Sequence, residues 1–188
     1  WRIFVLVRRE GWTDNHKRVY RLYCQAGLNL RRKRPRRRKA AAHRMERPVL
    51  TAPNQCWSMD FVADALFDGR RFRSLTIVDN FTKMSLAIEV DQKLKGEDVV
   101  ATLERLRNEI GVPTDNPVIE SFNGSFRDEC LNIHWFLSLE DARRKIESWR
   151  LDYNQFRTHS SLGDIPPAEF AARFSPSPAA EFSSSDRS

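Results

Sequence analysis

Three short apolar runs, each closed by a turn signal, constrain the fold of this chain more than any other feature. Cys56 to Val62, Phe72 to Asp79 and Met84 to Val90 each have strand length. Asp68-Gly69 separates the first two, and Asn80 to Lys83 turns the chain between the second and third. In the third run Met84, Leu86, Ile88 and Val90 alternate with Ser85, Ala87 and Glu89, the period of a pleated strand. Sequential strands joined by such short turns form an antiparallel meander, so a compact domain is expected to begin near Thr51. A helix should follow from about Glu97 to Ile110. Val99, Val100, Leu103, Leu106 and Ile110 lie on one face, and Gly111 and Pro113 stop it. The fold class is therefore α/β.

Two more helices are expected downstream. Asn116 with Pro117 behind it is a strong helix start, and Ile119, Phe122, Phe126 and Cys130 would form the buried stripe. Ser138 with Asp141 three residues on resembles a capping box. It opens a helix that turns Leu139, Ala142, Ile146, Trp149 and Tyr153 inward and decorates its outer face with Arg143, Arg144, Lys145 and Arg150. Those four cations suit a solvated face or contact with DNA equally well. The Pro- and Ser-containing stretch 175–188 reads as a disordered tail.

Upstream, residues 2 to 9 read as the end of an apolar helix and Gly11 to Asp14 as a turn. Asn15 caps a second helix that runs to about Ala26 and stops at Gly27. Val19, Leu22, Tyr23 and Ala26 would be its buried stripe. The pair, residues 1–29, suggests a partial helix-turn-helix, and a generic helical hairpin fits the pattern nearly as well. The chain starts with Trp1 rather than Met, as expected for a piece of something longer.

A net charge of +7 points to an anionic partner because the charge is concentrated. Arg31, Arg32, Lys33, Arg34, Arg36, Arg37, Arg38 and Lys39 leave only Pro35 uncharged between residues 31 and 39. Self-repulsion and Pro35 both oppose a helix there. The segment 30–50 is expected to be an extended linker that lies along DNA phosphates, a contact that is strong but blind to sequence. A nuclear localisation signal is the rival reading of the run. Cys24, Cys56 and Cys130 show no paired spacing, so neither a zinc motif nor a disulfide framework is supported, and a reducing cytoplasm fits. No apolar stretch is long enough to span a bilayer, and Trp1 to Val7 lacks the basic start and cleavage site of a signal peptide.

Two acids stand out. Asp60 lies within the first strand, and Glu120 lies in the second turn of the helix begun at Asn116. Hard divalent ions such as magnesium take carboxylate oxygens. Phosphodiester transfer uses two such ions, one at the attacking and one at the leaving oxygen. A strand acid facing a helix acid suits that geometry, although a lone strand aspartate can equally be a buried acid held by backbone donors.

The blocks around these acids carry a resemblance. Trp57-Ser58-Met59-Asp60-Phe61, Leu75 to Thr82, Ile119-Glu120-Ser121-Phe122-Asn123-Gly124 and Trp149 to Asn154 closely resemble transposases of the IS-three type of bacterial insertion sequences. Arg157 to Gly163 with Pro166-Pro167-Ala168-Glu169-Phe170 is similar to the end of that family. The blocks keep the family's order up to Phe174. The resemblance implies a ribonuclease-H-like core shared with retroviral integrases over 51–174, a mixed sheet with flanking helices and a helix-turn-helix region upstream. It also implies a magnesium site of three carboxylates, of which Asp60 is the first and Glu120 the last. DNA ends and target would be the partners, in a homo-oligomer or in an oligomer with an intact transposase, in the bacterial cytoplasm.

One departure stands against the pattern. The family's middle Asp, on its own strand, should follow the helix ending near Gly111. Here Gly111-Val112-Pro113 runs directly into Thr114-Asp115-Asn116-Pro117. A central strand, the middle acid and a helix are expected to be deleted near 111–114. Asp115, at a helix start, caps rather than replaces the lost acid, and Asp79 is expected to be structural. The first strand should lose a pairing partner and expose an edge. The chain thus reads as a transposase-like protein of DNA transposition and integration without its chemistry. Its alternatives are a non-catalytic DNA-binding or oligomerisation fragment that modulates an intact transposase, and a pseudogene product.

Overall fold

The computed structural model describes residues 1–28, 49–111 and 120–174. The basic run 31–39, the Asn116 helix start, Asp115, Ile119 and the 175–188 tail lie outside the described residues. The chain divides into two compact units, Trp1–Val49 and Leu50–Ser188.

In the first unit, α1 (Arg2–Arg9) and α2 (His16–Gln25) form a hairpin. Asn15 caps α2, its side chain accepting the Lys17 amide at 2.8 Å, and Gly27 ends it with φ +69°, a value open to glycine at no steric cost. The expected buried stripe is corrected. Val19 and Tyr23 are half-covered, whereas Leu22 and Ala26 are exposed. Two short helices provide a single packing layer, and a buried stripe needs a second surface to close over it.

The second unit is a sheet between two helical layers. Strands β1 (Trp57–Ala65), β2 (Arg71–Asp79) and β3 (Ser85–Asp91) pair antiparallel in the order β1-β2-β3. Gly69, at φ +84°, and Lys83, at φ +63°, make the two turns. Helix α3 (Gly96–Ile110) lies on one side. Its Leu106, with Val99 and Leu103, packs on Trp57, Leu75, Ile77 and Ala87. Two expected core residues of α3 are corrected: Val100 and Ile110 are exposed, and Thr102 is buried instead. The covered stripe runs through 99, 102, 103 and 106, so positions 100 and 110 fall off its edge.

The other side of the sheet carries α4 (Glu120–Phe126), the π-helical turn Arg127–Leu131 that continues it, and α5 (Leu139–Phe156). Phe122, Phe126, Cys130, Ala142, Ile146 and Tyr153 join Val62, Phe72, Val78, Ile88 and Val90 in the larger core, with Leu139 and Trp149 against it. The start of α5 follows the expected pairing. Ser138 accepts the Asp141 amide at 3.1 Å, and the Asp141 carboxylate accepts the Leu137 amide at 3.1 Å. After a 3-10 turn at Ser160–Leu162, α6 (Pro167–Ala172) packs on α5.

Because the sheet order ends at β1, one edge of that nine-residue strand has no neighbouring strand among the described residues. Two of its amides are met by their own preceding side chains. Phe61 N–H donates to Asp60 Oδ1 at 2.7 Å, and Ala65 N–H donates to Asp64 Oδ1 at 2.8 Å. Short polar side chains that answer their own backbone in this way blunt an open edge.

Candidate active site

Strand alternation sets Asp60 on the α4 side of β1, the side that Val62 also faces. Its carboxylate is exposed but not unattended. Oδ1 accepts the Phe61 amide, and Oδ2 accepts Asn123 Nδ2 at 2.7 Å. Asn123 is only 8% exposed and comes from α4. Its Oδ1 lies 3.0 Å from the Thr76 hydroxyl, which is also 3.1 Å from the Asp60 carbonyl oxygen. The single hydroxyl proton of Thr76 thus points between two oxygen acceptors. The amide can sit in only one sense, because a flipped Asn123 would set oxygen against the Asp60 carboxylate. Strand β1, strand β2 and helix α4 meet in this one polar chain.

Glu120 lies in α4, three residues before Asn123. The backbone therefore brings the two sequence-predicted acids onto elements that are fastened to each other by Asn123. Asn123 is the site residue that sequence reasoning missed. It sits in the same family block as Glu120, three positions after it, and that spacing on a helix was the available signal.

Asp79 is structural. It is 1% exposed and accepts three hydrogen bonds: the Asn54 amide at 3.2 Å, the Thr82 amide at 3.0 Å and the Thr82 hydroxyl at 2.5 Å. The expectation for the α5 cations is corrected in part. Arg143 reaches back to the Val90 carbonyl at 3.0 Å and Asp91 at 2.7 Å, and Arg150 donates to the Ser85 carbonyl at 2.9 Å while pairing with Glu147 at 2.6 Å. Glu147 in turn raises the Arg150 pKa. Long guanidinium side chains span from a helix flank to the neighbouring strand, so these two are struts between α5 and β3. Arg144 and Lys145 both pair with Asp141, at 2.7 Å each. Lys145 first, then the Leu137 amide and Arg144, hold the Asp141 carboxyl down at about 2.

None of the three cysteines is in a disulfide. Burial, with the Asp64 charge as a smaller cause, pushes the Cys130 thiol up to about 12, so it stays protonated and inert. A cleft of about 430 Å³ between β3, α3 and α5 is lined by Glu89, Asp91, Asp98, Arg105 and Arg143, not by Asp60. Its arginines are engaged, Arg105 with Glu89 at 2.6 Å and Arg143 with Asp91 at 2.7 Å.

A two-ion centre needs a cluster of hard oxygen ligands at fixed separation. Among the described residues no three His, Cys, Asp or Glu side chains come together as a metal site. Both Asp60 oxygens already accept a hydrogen bond. Each Asp60 oxygen keeps a lone pair beyond the hydrogen bond it accepts, and Glu120 lies on the helix that Asn123 fastens to Asp60, so these two acids are the ones available to an ion.

Comparison with known proteins places the chain. Two family models, each described as an integrase core domain, match residues 51–121 and 103–167. The uncharacterized 31.7 kDa protein of insertion element IS407 from Burkholderia multivorans is 42% identical over 207 residues, covering 92% of this chain and 74% of the relative. Since 92% of 188 residues is about 173, about 34 of those aligned positions have no counterpart here. The transposase InsF for insertion sequence IS3A of Escherichia coli is 27% identical over 124 residues, which is 65% of this chain and 41% of that protein. The fold is similar to that in the intasome of simian T-cell lymphotropic virus, with a TM-score of 0.50 at 12% identity over 74% of this chain and 64% of that one. No helix of the described residues is long and apolar enough to cross a membrane. The chain belongs to the integrase-core transposases of bacterial insertion sequences.

Proposed function

We propose that this chain is a transposase relic that binds DNA and does not cut or join it. Its place in the family supports a history of magnesium-dependent strand cleavage and transfer in the bacterial cytoplasm. The observation that carries the loss of chemistry is the state of β1. Among the described residues the strand that holds Asp60 is the last in the sheet order, and the Asp60 carboxylate accepts the edge amide of Phe61 at 2.7 Å. A neighbouring strand would take that amide and release the oxygen. The gap of about 34 positions against the Burkholderia relative supports an internal deletion, placed by sequence near 111–114. Asp60 and Glu120 are the residues that would hold magnesium, which supplies charge neutralisation at a phosphate. Two acids alone leave a bridging position unfilled.

DNA remains as partner through the run 31–39, whose eight cations include Arg31 and Lys39. The helical hairpin at 1–29 is read as a partial DNA-binding unit beside it. Isothermal titration of manganese into the full chain tests the reading. No saturable binding that depends on Asp60 is expected. Tight binding of two ions, lost in Asp60→Asn, would overturn it.

A further inference from the structure

The helical hairpin shows aromatic rings at its surface with cations set among them. Trp1, at the N-cap of α1, stands one turn before Phe4, and His16 stands one turn before Tyr20 on α2. The four rings join across the hairpin. Trp1 lies 5.3 Å from Phe4 and 5.3 Å from His16, and Phe4 meets His16 edge-on at 5.4 Å. His16 and Tyr20 lie within 22° of parallel, 6.5 Å apart. Both ends of this row are open, Trp1 being 66% exposed and Tyr20 60%. The row is held in place by the helices themselves. The Trp1 carbonyl accepts the Val5 amide at 3.1 Å, and the Asn15 cap fixes the start of α2 just before His16.

The cations follow the same helical spacing. Arg8 comes four residues after Phe4, Lys17 three before Tyr20, and Arg21 four after Lys17. All three are exposed, and none pairs with an acid among the described residues. Arg18, by contrast, is taken by Asp14 at 3.0 Å. Over residues 1–28 six Lys and Arg stand against two acids, Glu10 and Asp14.

We propose that the open rings of Trp1 and Tyr20 are platforms on which unpaired bases stack, so that the hairpin takes single-stranded DNA. The inference rests on the reading of the hairpin as a DNA-binding unit and names the form of DNA that it takes. Every base has a π face that an aromatic ring can cover, whatever the sequence, and cations beside the ring meet the phosphates on either side. A duplex keeps those faces inside its stack and shows only base edges in its grooves. Charge selects the occupant. An apolar protein surface laid over the rings would enclose Arg8, Lys17 and Arg21 without counter-charges, which is costly. A single strand brings the apolar faces and the counter-charges together.

Fluorescence anisotropy of a labelled mixed-sequence oligonucleotide, as a single strand and as its duplex, tests the proposal on the full chain. Trp1→Leu and Tyr20→Leu should each raise the dissociation constant for the single strand about fivefold or more, the loss of one stacked base. Neither should change that for the duplex. Tyr20→Phe keeps the ring and should bind the single strand as the parent does. Leucine is a good helix former, and an unchanged circular dichroism spectrum establishes that each variant is folded. Trp135→Leu removes an exposed ring from the second unit and should alter neither affinity. Equal losses on single strand and duplex, or no loss on either, would overturn the inference and leave the DNA-binding reading standing. Failure of the parent chain to bind either form would overturn both.

Discussion

Asn123 donates from its buried amide to the Asp60 carboxylate at 2.7 Å, across 63 positions of sequence. The bond ties the helix that carries Glu120 to the strand that carries Asp60. Thr76 fixes the far side of the same amide at 3.0 Å. Asn123→Ala should therefore cost about 1–3 kcal/mol in urea unfolding, since the buried Thr76 hydroxyl loses one acceptor and Asp60 one donor. Asn123→Asp should cost more, because it sets two carboxylates side by side. A stability equal to the parent in both variants would mean that α4 is held by Phe122 and Phe126 alone.

Asp79 should matter more for folding than either sequence-predicted acid. Its removal leaves the Asn54 and Thr82 amides and the Thr82 hydroxyl without their acceptor. Asp79→Ala is expected to lose about 2–4 kcal/mol, the range for orphaned buried donors once satisfied by a charge. Asp60→Ala, at an exposed position, should lose about 1 kcal/mol or less. The order of the two midpoints in denaturant checks the assignment.

The start of α5 provides a pH signature. The Asp141 carboxyl titrates in the fold at about 2, below its ordinary value of 3.8, with Lys145 the largest cause. A depressed carboxyl stabilises the fold above the unfolded pKa and loses that contribution as pH falls through the folded one. The parent chain should thus be more stable than Asp141→Asn at pH 5 to 7, and the difference should close between about pH 4 and pH 2. A difference independent of pH would assign the role of Asp141 to the hydrogen bond it accepts from the Leu137 amide and not to its charge.

The basic run gives a prediction of a different kind. Replacing Arg31, Arg32, Lys33, Arg34, Arg36, Arg37, Arg38 and Lys39 by Ser and Gly should weaken binding to any duplex alike. It should also flatten the dependence of affinity on salt by about 0.9 for each phosphate no longer neutralised. Filter binding on unrelated duplexes at several salt concentrations measures both. An unchanged slope would show that the run does not touch phosphates.

What was legible in the sequence was local. The three strands, the Asn15 cap, the Ser138–Asp141 pairing and the α5 core stripe each follow from residues within a few positions of one another. The family blocks mark Asp60 and Glu120 without any geometry. Contacts across the chain were not legible. Nothing near Asn123 announces a carboxylate 63 positions away, and nothing on α5 announces that Arg143 and Arg150 reach β3. Val100 and Ile110 failed as core residues for a related reason. Apolar character gives a face, but the partner surface decides how wide a stripe is covered. In the helical hairpin the described residues offer one layer of partner surface, and Leu22 is exposed.

The proposed loss of chemistry in this integrase core can be tested at the reaction itself. The most direct measurement is a strand-transfer assay on oligonucleotides with an insertion-sequence end, in magnesium and in manganese, run beside a version with about 34 residues of the Burkholderia relative restored at the 111–114 junction. Joined products are expected from the restored protein, abolished by Asp60→Asn, and none from the present chain. Joining by the present chain that disappears on Asp60→Asn would contradict it, and would mean that another acid completes the site with Asp60 and Glu120.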